Sequence, residues 1–64
     1  MKRNELLRLL LQQGCILHRH GGRHDIYINL VNGKKQPVPR HSEIDDDLVK
    51  HILKFLGLPG NPNR

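Results

Sequence analysis

The stretch His20-Gly21-Gly22-Arg23-His24-Asp25, continued by Ile26-Tyr27-Ile28-Asn29, predicts a β-hairpin whose second strand begins near a histidine. Adjacent glycines favour a tight turn, and the residues that follow alternate between apolar and polar, as in a half-buried strand. The preceding segment, residues 15–20, is also strand-like. Because the turn sets which residues face each other across the hairpin, this stretch decides how the sheet is built.

A two-residue turn at Gly21-Gly22 pairs Leu17 with Ile26 and Cys15 with Ile28. Residues that pair across two strands share one face of the sheet. We therefore expect these four apolar side chains to form the face that packs against the helices.

The same register pairs Arg19 with His24, beyond the end of the apolar patch, and places His18 opposite Asp25 on the other face. We expect His24 to be half-sheltered at the rim of the core, beside a cation that disfavours its protonation. Histidine exchanges protons near neutral pH, so this position suits a general acid or base. A purely structural interpretation is also open, in which His24 only ends the hairpin.

A helix is predicted before the hairpin, from about Glu5 to Gln13, with Asn4 as its N-cap and Gly14 as its stop. Its apolar residues recur at helical spacing. They are Leu6, Leu7, Leu10 and Leu11.

A third strand follows the Asn32-Gly33 turn signal and ends in Pro37-Val38-Pro39. Prolines within a strand indicate the edge of a sheet. We expect a bulge or a loop longer than two residues before this strand. A two-residue turn would place Val38 on the face away from Ile26 and Ile28.

A second helix begins after its N-cap Asp45 and ends at Gly57, with Leu58 packing back in a Schellman arrangement. The predicted order is α-β-β-β-α, an α+β fold with a three-stranded antiparallel sheet and two helices on one face. One domain should span residues 1–58, and residues 59–64 should form a flexible tail. The side chains expected in the core include Leu10, Leu17, Ile28, Ile52 and Leu56.

Composition restricts the class of protein. The chain has 64 residues, a formal net charge of +5 and a single cysteine, Cys15. One cysteine excludes an internal disulfide and a cysteine-based zinc site. No apolar run is long enough to span a bilayer and no signal-peptide pattern is present, so we expect a soluble cytoplasmic protein. The positive charge favours a polyanionic or acidic partner.

The chain resembles the HicA family of toxin proteins from about Asn4 to Leu58. The similarity lies in the element order, the Gly-Gly-Arg-His-Asp hairpin, the segment Pro37-Val38-Pro39-Arg40-His41 and the ending Ile52-Leu53-Lys54-Phe55-Leu56-Gly57-Leu58. The resemblance implies a fold like a double-stranded-RNA-binding domain, ribonuclease activity on mRNA and neutralisation by a HicB-type antitoxin. The family's catalytic histidine corresponds to His24. Many members carry a small hydroxyl residue where this chain has Arg23, which leaves open whether substrate contacts are the same.

The chemistry of these residue types agrees with RNA cleavage. RNA carries its own nucleophile, the 2′-hydroxyl, so a general acid–base such as His24 and nearby cations suffice without a metal or other cofactor. The candidates for contacts to RNA phosphates are Arg19, Arg23, Arg40, Lys34 and Lys35. Ordinary solvated surface charge is the alternative for each of them.

Two further residues are auxiliary candidates. His41 follows Arg40 and is either a second acid–base group or, with more weight, a structural loop contact. Tyr27 either stacks on a base or packs in the core. In the predicted register His18 and His20 point away from His24 and Cys15, so no zinc site is expected.

Two functions from other classes also fit this sequence. The same fold and charge would suit a non-catalytic RNA-binding module that recognises duplex RNA by shape, with His24 touching the backbone. They would also suit a structural protein whose basic surface mainly contacts an acidic protein. Cleavage of RNA that depends on His24 separates the ribonuclease from both alternatives.

Overall fold

The computed structural model describes residues 1–58. The elements are α1 (Arg3–Gln12), β1 (Cys15–His20), β2 (His24–Asn29), β3 (Lys35–Pro39) and α2 (Asp46–Phe55). The strands form one antiparallel sheet in the order β1-β2-β3. The predicted α+β class and α-β-β-β-α order are confirmed, while the predicted tail over 59–64 lies outside the described residues. Within residues 1–58, no helix is both long and apolar enough to cross a membrane.

The start of α1 lies earlier than predicted. Lys2 is its N-cap, so Asn4 lies inside the helix and the prediction that Asn4 caps it is wrong. The chain beyond β3 explains the earlier start. The backbone N–H of Arg3 donates to the carbonyl of Ser42 at 2.9 Å, and Lys2 forms a β-bridge with Glu43. A partner about 40 residues away thus supplies an acceptor that a local cap would otherwise supply.

The ends of α2 are those that its sequence predicts. Asp45 is the N-cap, although its side chain makes no capping hydrogen bond. Gly57 has a φ of +77°, its N–H donates to Lys54 O, and the N–H of Leu58 donates to Leu53 O at 2.8 Å. These two bonds form a Schellman motif, which satisfies carbonyls at the helix end.

Both helices pack on the same face of the sheet. The core combines residues of both helices, of β1 and β3, and of the segment before α2. Its members are Leu6, Leu10, Cys15, Val38, Ile44, Val49, Ile52, Leu53 and Leu56, each at most 3 % exposed. The predicted burial of Leu10, Ile52 and Leu56 is therefore confirmed.

The register of the hairpin differs from the predicted one. His20 pairs with Asp25, and the N–H of Gly21 donates to His24 O at 2.8 Å, so Gly22 and Arg23 form the tip. Neither Gly21 nor Gly22 has a positive φ, which the favoured two-residue hairpin turns require. Gly21 instead allows close approach, because a Cβ there would lie 2.7 Å from His24 O.

A β-bulge between Leu17 and Arg19 changes the register by one residue along the hairpin. Beyond it, Leu17 pairs with Tyr27 and Cys15 with Asn29, so the predicted pairs of Leu17 and Cys15 are wrong. The expected burial of Leu17 is also wrong, since 38 % of it is exposed. A bulge adds one unpaired residue to one strand, and here that residue is His18.

A one-residue slip reverses which side chains of a strand face the core. Asp25 and Asn29 are buried on the helix side, whereas Ile26 and Ile28 lie on the side away from the helices and are only partly buried. The expectation that Ile28 belongs to the core is therefore wrong. We call the side away from the helices the open face. It carries Ile16, Arg19, His24, Ile26, Ile28, Lys35 and Pro37.

The third strand is reached by a loop longer than two residues, residues 30–34, as predicted. Val38 is fully buried, which the prediction also required. It pairs with Asp25, however, so its side chain lies on the helix side of the sheet, whereas those of Ile26 and Ile28 lie on the other side. The predicted edge position of this proline-containing strand is confirmed.

Candidate functional site

A buried carboxylate organises the base of the hairpin. Asp25 is 7 % exposed, and Arg3 Nη2 lies 2.7 Å from its Oδ2. Arg40 Nε lies 2.9 Å and His20 Nδ1 2.8 Å from its Oδ1. The hydrogen bond from His20 is the largest cause of a lowered pKa for Asp25, and Arg40 lowers the pKa further, while partial desolvation opposes both. A carboxylate so buried needs partners of this kind.

Arg40 joins this carboxylate to the turn. Its Nη2 donates to Gly21 O at 2.7 Å and its Nη1 to Gly22 O at 3.3 Å, while Nε bonds Asp25. The planar guanidinium suits such multiple contacts, because its donors have fixed directions. Arg40 therefore holds the position of the hairpin tip relative to the end of β3.

Arg3 ties the same network to α1. Besides its bond to Asp25, its Nε donates to Pro39 O at 2.7 Å. Three elements distant in sequence, α1, β2 and the end of β3, thus converge on one carboxylate. Arg3 is not among the residues predicted for the site. The one sequence signal for such a partner is Asp25, an acidic residue directly before the apolar residues of β2, which needs a cation if it is buried.

His24 begins β2 on the open face and pairs with Pro39 of β3. It is exposed, and its imidazole makes no hydrogen bond or ion pair with any of residues 1–58. The expectation that His24 is half-sheltered at the core rim is wrong, because the register slip puts it on the opposite side of the sheet. Its ring is therefore open to a ligand from solvent.

Two of the predicted cations lie beside this histidine. Arg23 is exposed at the hairpin tip, directly before His24. Arg19 pairs with Ile26 rather than with His24, which corrects the predicted pair. Ile26 and His24 are on the same face of β2, so Arg19 is a diagonal neighbour of His24, a separation of roughly 7–8 Å between backbones.

The remaining candidates lie elsewhere or are differently placed. Lys35 pairs with Ile28, at the other end of β2 from His24, and Lys34 is in the loop before it. Ile28, the partner of Lys35, is four residues from His24 along β2, which is a distance of about 13 Å. The lysines thus do not adjoin the histidine.

His41 and Tyr27 have different surroundings. His41 is exposed in the segment after β3, two residues beyond the strand partner of His24. Tyr27 is half-buried against the core, and burial raises the pKa of its phenol. That position supports the packing role for Tyr27. Among residues 1–58, no three His, Cys, Asp or Glu side chains are grouped to hold one metal ion.

The site thus consists of an exposed imidazole and two guanidinium groups at the end of a rigidly held hairpin. Such a set can contact a phosphate and move a proton beside it.

The HicA family, described as the HicA toxin of bacterial toxin–antitoxin systems, has a family model that matches residues 3–58 of the chain. No curated protein and no solved structure matches the chain significantly.

Proposed function

Since the chain belongs to the HicA toxin family of toxin–antitoxin systems, we propose that it is a metal-independent endoribonuclease that cleaves mRNA in the cytoplasm and that a HicB-type antitoxin neutralises it. The observation that carries this proposal is the position of His24. Its imidazole is exposed, has no partner among residues 1–58, and extends from a hairpin held by Arg40 and Asp25.

The proposed reaction uses the nucleophile that RNA already contains. His24 removes the proton of a 2′-hydroxyl, and the 2′-oxygen attacks the adjacent phosphorus. The bond from phosphorus to the 5′-oxygen of the next nucleotide breaks, and that oxygen takes a proton. The products are a 2′,3′-cyclic phosphate and a 5′-hydroxyl. No step requires a cofactor.

The arginines divide into two roles in this proposal. Arg19 and Arg23 contact phosphates, because both are exposed beside His24 and can stabilise the charge that develops on the phosphorane oxygens. Arg40 holds the hairpin, because its donors already bond Gly21, Gly22 and Asp25. Lys34 and Lys35 extend the positive surface to the other end of the sheet. His41 is an auxiliary candidate for the second proton transfer.

The antitoxin is proposed to be an acidic protein that covers the His24 hairpin. The chain carries a net charge of +5, so an acidic surface would be steered toward it. Covering the hairpin would exclude RNA from the imidazole and from at least one of Arg19, Arg23 and Arg40.

A matched pair of histidine variants tests the enzymatic proposal. His24→Ala should reduce RNA cleavage by a factor of roughly 100 to 10,000, the usual share of acid–base catalysis, while RNA binding remains within about twofold of wild type because the cations remain. His18→Ala is the control, because His18 is also exposed in the same sheet and its side chain makes no hydrogen bond to any of residues 1–58. Cleavage is followed on a labelled RNA with chelator present.

A second substrate separates the mechanism from its alternatives. An RNA with a single 2′-deoxy nucleotide at the scissile position should resist cleavage. Cleavage of that substrate, or equal rates for His24→Ala and wild type, would refute the mechanism. Binding without any cleavage by wild type would favour the non-catalytic RNA-binding module instead.

A further inference from the structure

The two edges of the sheet differ in their capacity to pair with another chain. β3 forms one edge and carries Pro37 and Pro39, which have no backbone N–H. β1 forms the other edge and contains no proline. Among residues 1–58, the only backbone hydrogen bonds to β1 are those of its pairing with β2. Outside the bulge between Leu17 and Arg19, the outer N–H and C=O groups of β1 therefore have no backbone partner among residues 1–58 and can pair with an extended segment.

An open groove runs beside this free edge, between α1 and β1. Its volume is about 400 Å³, and its walls include Leu7, Leu11, Leu17 and Tyr27. Leu11 is 65 % exposed and Leu17 38 % exposed, so the groove presents apolar surface to solvent. A strand paired with β1 would place alternate side chains toward this groove.

The charge around the edge identifies the kind of partner. Arg8 lines the groove, and Arg19 projects from β1 itself. A second copy of the chain carries the same net charge of +5, and repulsion between like charges disfavours pairing between copies. RNA has no alternating amide groups to continue the β-ladder and no aliphatic side chain for the groove. An acidic polypeptide could bond the backbone of β1, place an apolar side chain in the groove and neutralise the nearby arginines.

We propose that β1 accepts an extended acidic segment of the antitoxin as a fourth strand, with one apolar side chain of that segment in the Leu7–Leu11–Leu17 groove. Strand addition of this type draws affinity from main-chain bonds and specificity from side-chain pockets. The identity of the partner rests on the proposed function, whereas the edge and the groove do not.

This mode of binding would connect the groove to the candidate site. β1 runs six residues from Cys15 to His20, a length of about 20 Å. A strand anchored in the groove therefore reaches the hairpin, where His20 bonds Asp25 and where His24 begins the next strand. One segment of the antitoxin would then bind both the groove, which lies outside the candidate site, and the hairpin that carries His24.

Backbone hydrogen exchange of the full chain tests the added strand directly. The probe is the protein encoded by the reading frame adjacent to that of this chain, purified as the complex. In the free chain, the outward amides of β1 should exchange rapidly and the inward amides slowly. In the complex, the outward amides on either side of the bulge at His18 should be slowed by about 100-fold or more, since they would then be in a ladder. Unchanged exchange along β1 in a stable complex would overturn the proposal.

Two exposed apolar residues provide matched variants for the groove. Leu11→Glu places a negative charge where the apolar side chain would bind, and should weaken the complex by about tenfold or more. Phe55→Glu is the control, because Phe55 is 51 % exposed on α2, away from the groove. RNA cleavage by either variant without antitoxin should equal that of wild type. Equal antitoxin affinity for both variants would refute the anchor.

The remaining outcomes also decide the proposal. Protection of β1 that grows with the concentration of the free chain, together with a dimer in sedimentation, would assign the edge to a second copy. Protection of β1 by an RNA oligonucleotide would assign it to RNA. Either result overturns the proposal. If wild type fails to cleave RNA but its β1 amides are still protected in the complex, the ribonuclease proposal fails while the docking mode is supported.

Discussion

Replacing Arg40 by alanine separates two roles that its charge alone does not distinguish. As a phosphate contact, Arg40 would bind substrate; as a positioning residue, it would hold the hairpin that carries His24. Its hydrogen bonds to Gly21 O, Gly22 O and Asp25 favour the second role. We therefore expect Arg40→Ala to lower the turnover rate while leaving RNA affinity nearly unchanged.

The expected size follows from the loss of these contacts. Without the guanidinium, the turn retains the bond from Gly21 N–H to His24 O but loses its attachment to the end of β3. A shift of about 1 Å in a catalytic group costs roughly 100-fold in rate, so we expect kcat to fall by about 10- to 100-fold with KM within about twofold. Asp25 keeps Arg3 and His20 as partners, so the variant should remain folded.

Single-turnover cleavage and RNA binding at several salt concentrations measure the two roles. Loss of a phosphate contact lowers the salt dependence of binding by about one charge, whereas loss of a positioning residue leaves it unchanged. Arg23→Ala, at the free hairpin tip, is the comparison that should change the salt dependence. Arg40→Lys should recover only part of the rate, because one ammonium group cannot reproduce the guanidinium fork.

NMR relaxation of the Gly21 and Gly22 amides adds a measurement that does not depend on activity. These amides should become more mobile in Arg40→Ala and stay unchanged in Arg23→Ala. If Arg40→Ala instead weakens binding, reduces the salt dependence by one charge and leaves the turn ordered, the positioning role is wrong.

The other predictions concern stability and the buried thiol. Ile52→Ala should lower the free energy of unfolding by about 2–5 kcal/mol, because Ile52 is fully buried, and a urea melt equal to that of wild type would contradict the assigned core. Because the folded-state pKa of Asp25 lies below its ordinary value of 3.8, its stabilising contribution is present above that pH and is lost as the pH falls through the folded pKa. Urea midpoints measured between about pH 5 and pH 2 should show this loss, and Asp25→Asn should flatten it. Burial raises the pKa of the Cys15 thiol, so alkylation at neutral pH should be slow in the native protein and fast in urea; equal rates would show that Cys15 is accessible.

Much of the secondary structure could be predicted because its signals are local. The glycine at position 57 and the apolar spacing of α2 are sufficient to predict the helix and its Schellman end. The start of α1 could not be predicted in this way, because its acceptor is the distant carbonyl of Ser42. Rules for helix caps consider only neighbouring residues, so they cannot predict an acceptor that a tertiary contact supplies.

The candidate site shows the same division. The identity and approximate location of His24, Arg23 and Arg19 could be predicted from the hairpin motif, since all three belong to it or adjoin it. Their relative arrangement could not, because a bulge and a shifted turn tip changed the pairs. The hydrogen bonds of Arg40 to the turn could not be predicted either, because their acceptors are backbone carbonyls about 18 residues earlier in the chain.

The helix and strand segments, their order and the histidine at the start of β2 could be predicted from the sequence, because these features depend on neighbours within a few positions. The buried face of β2 depends on residues far away in the chain and is seen only in the folded protein. The isoleucines at 26 and 28 favour burial on hydrophobicity alone, yet Asp25 and Asn29 face the core. Those polar groups are tolerated there because their partners, Arg3, Arg40 and the carbonyl of Leu56, come from 22, 15 and 27 residues away. Their convergence removes the desolvation penalty that an unpaired carboxylate or amide would carry, and it turns His24 outward.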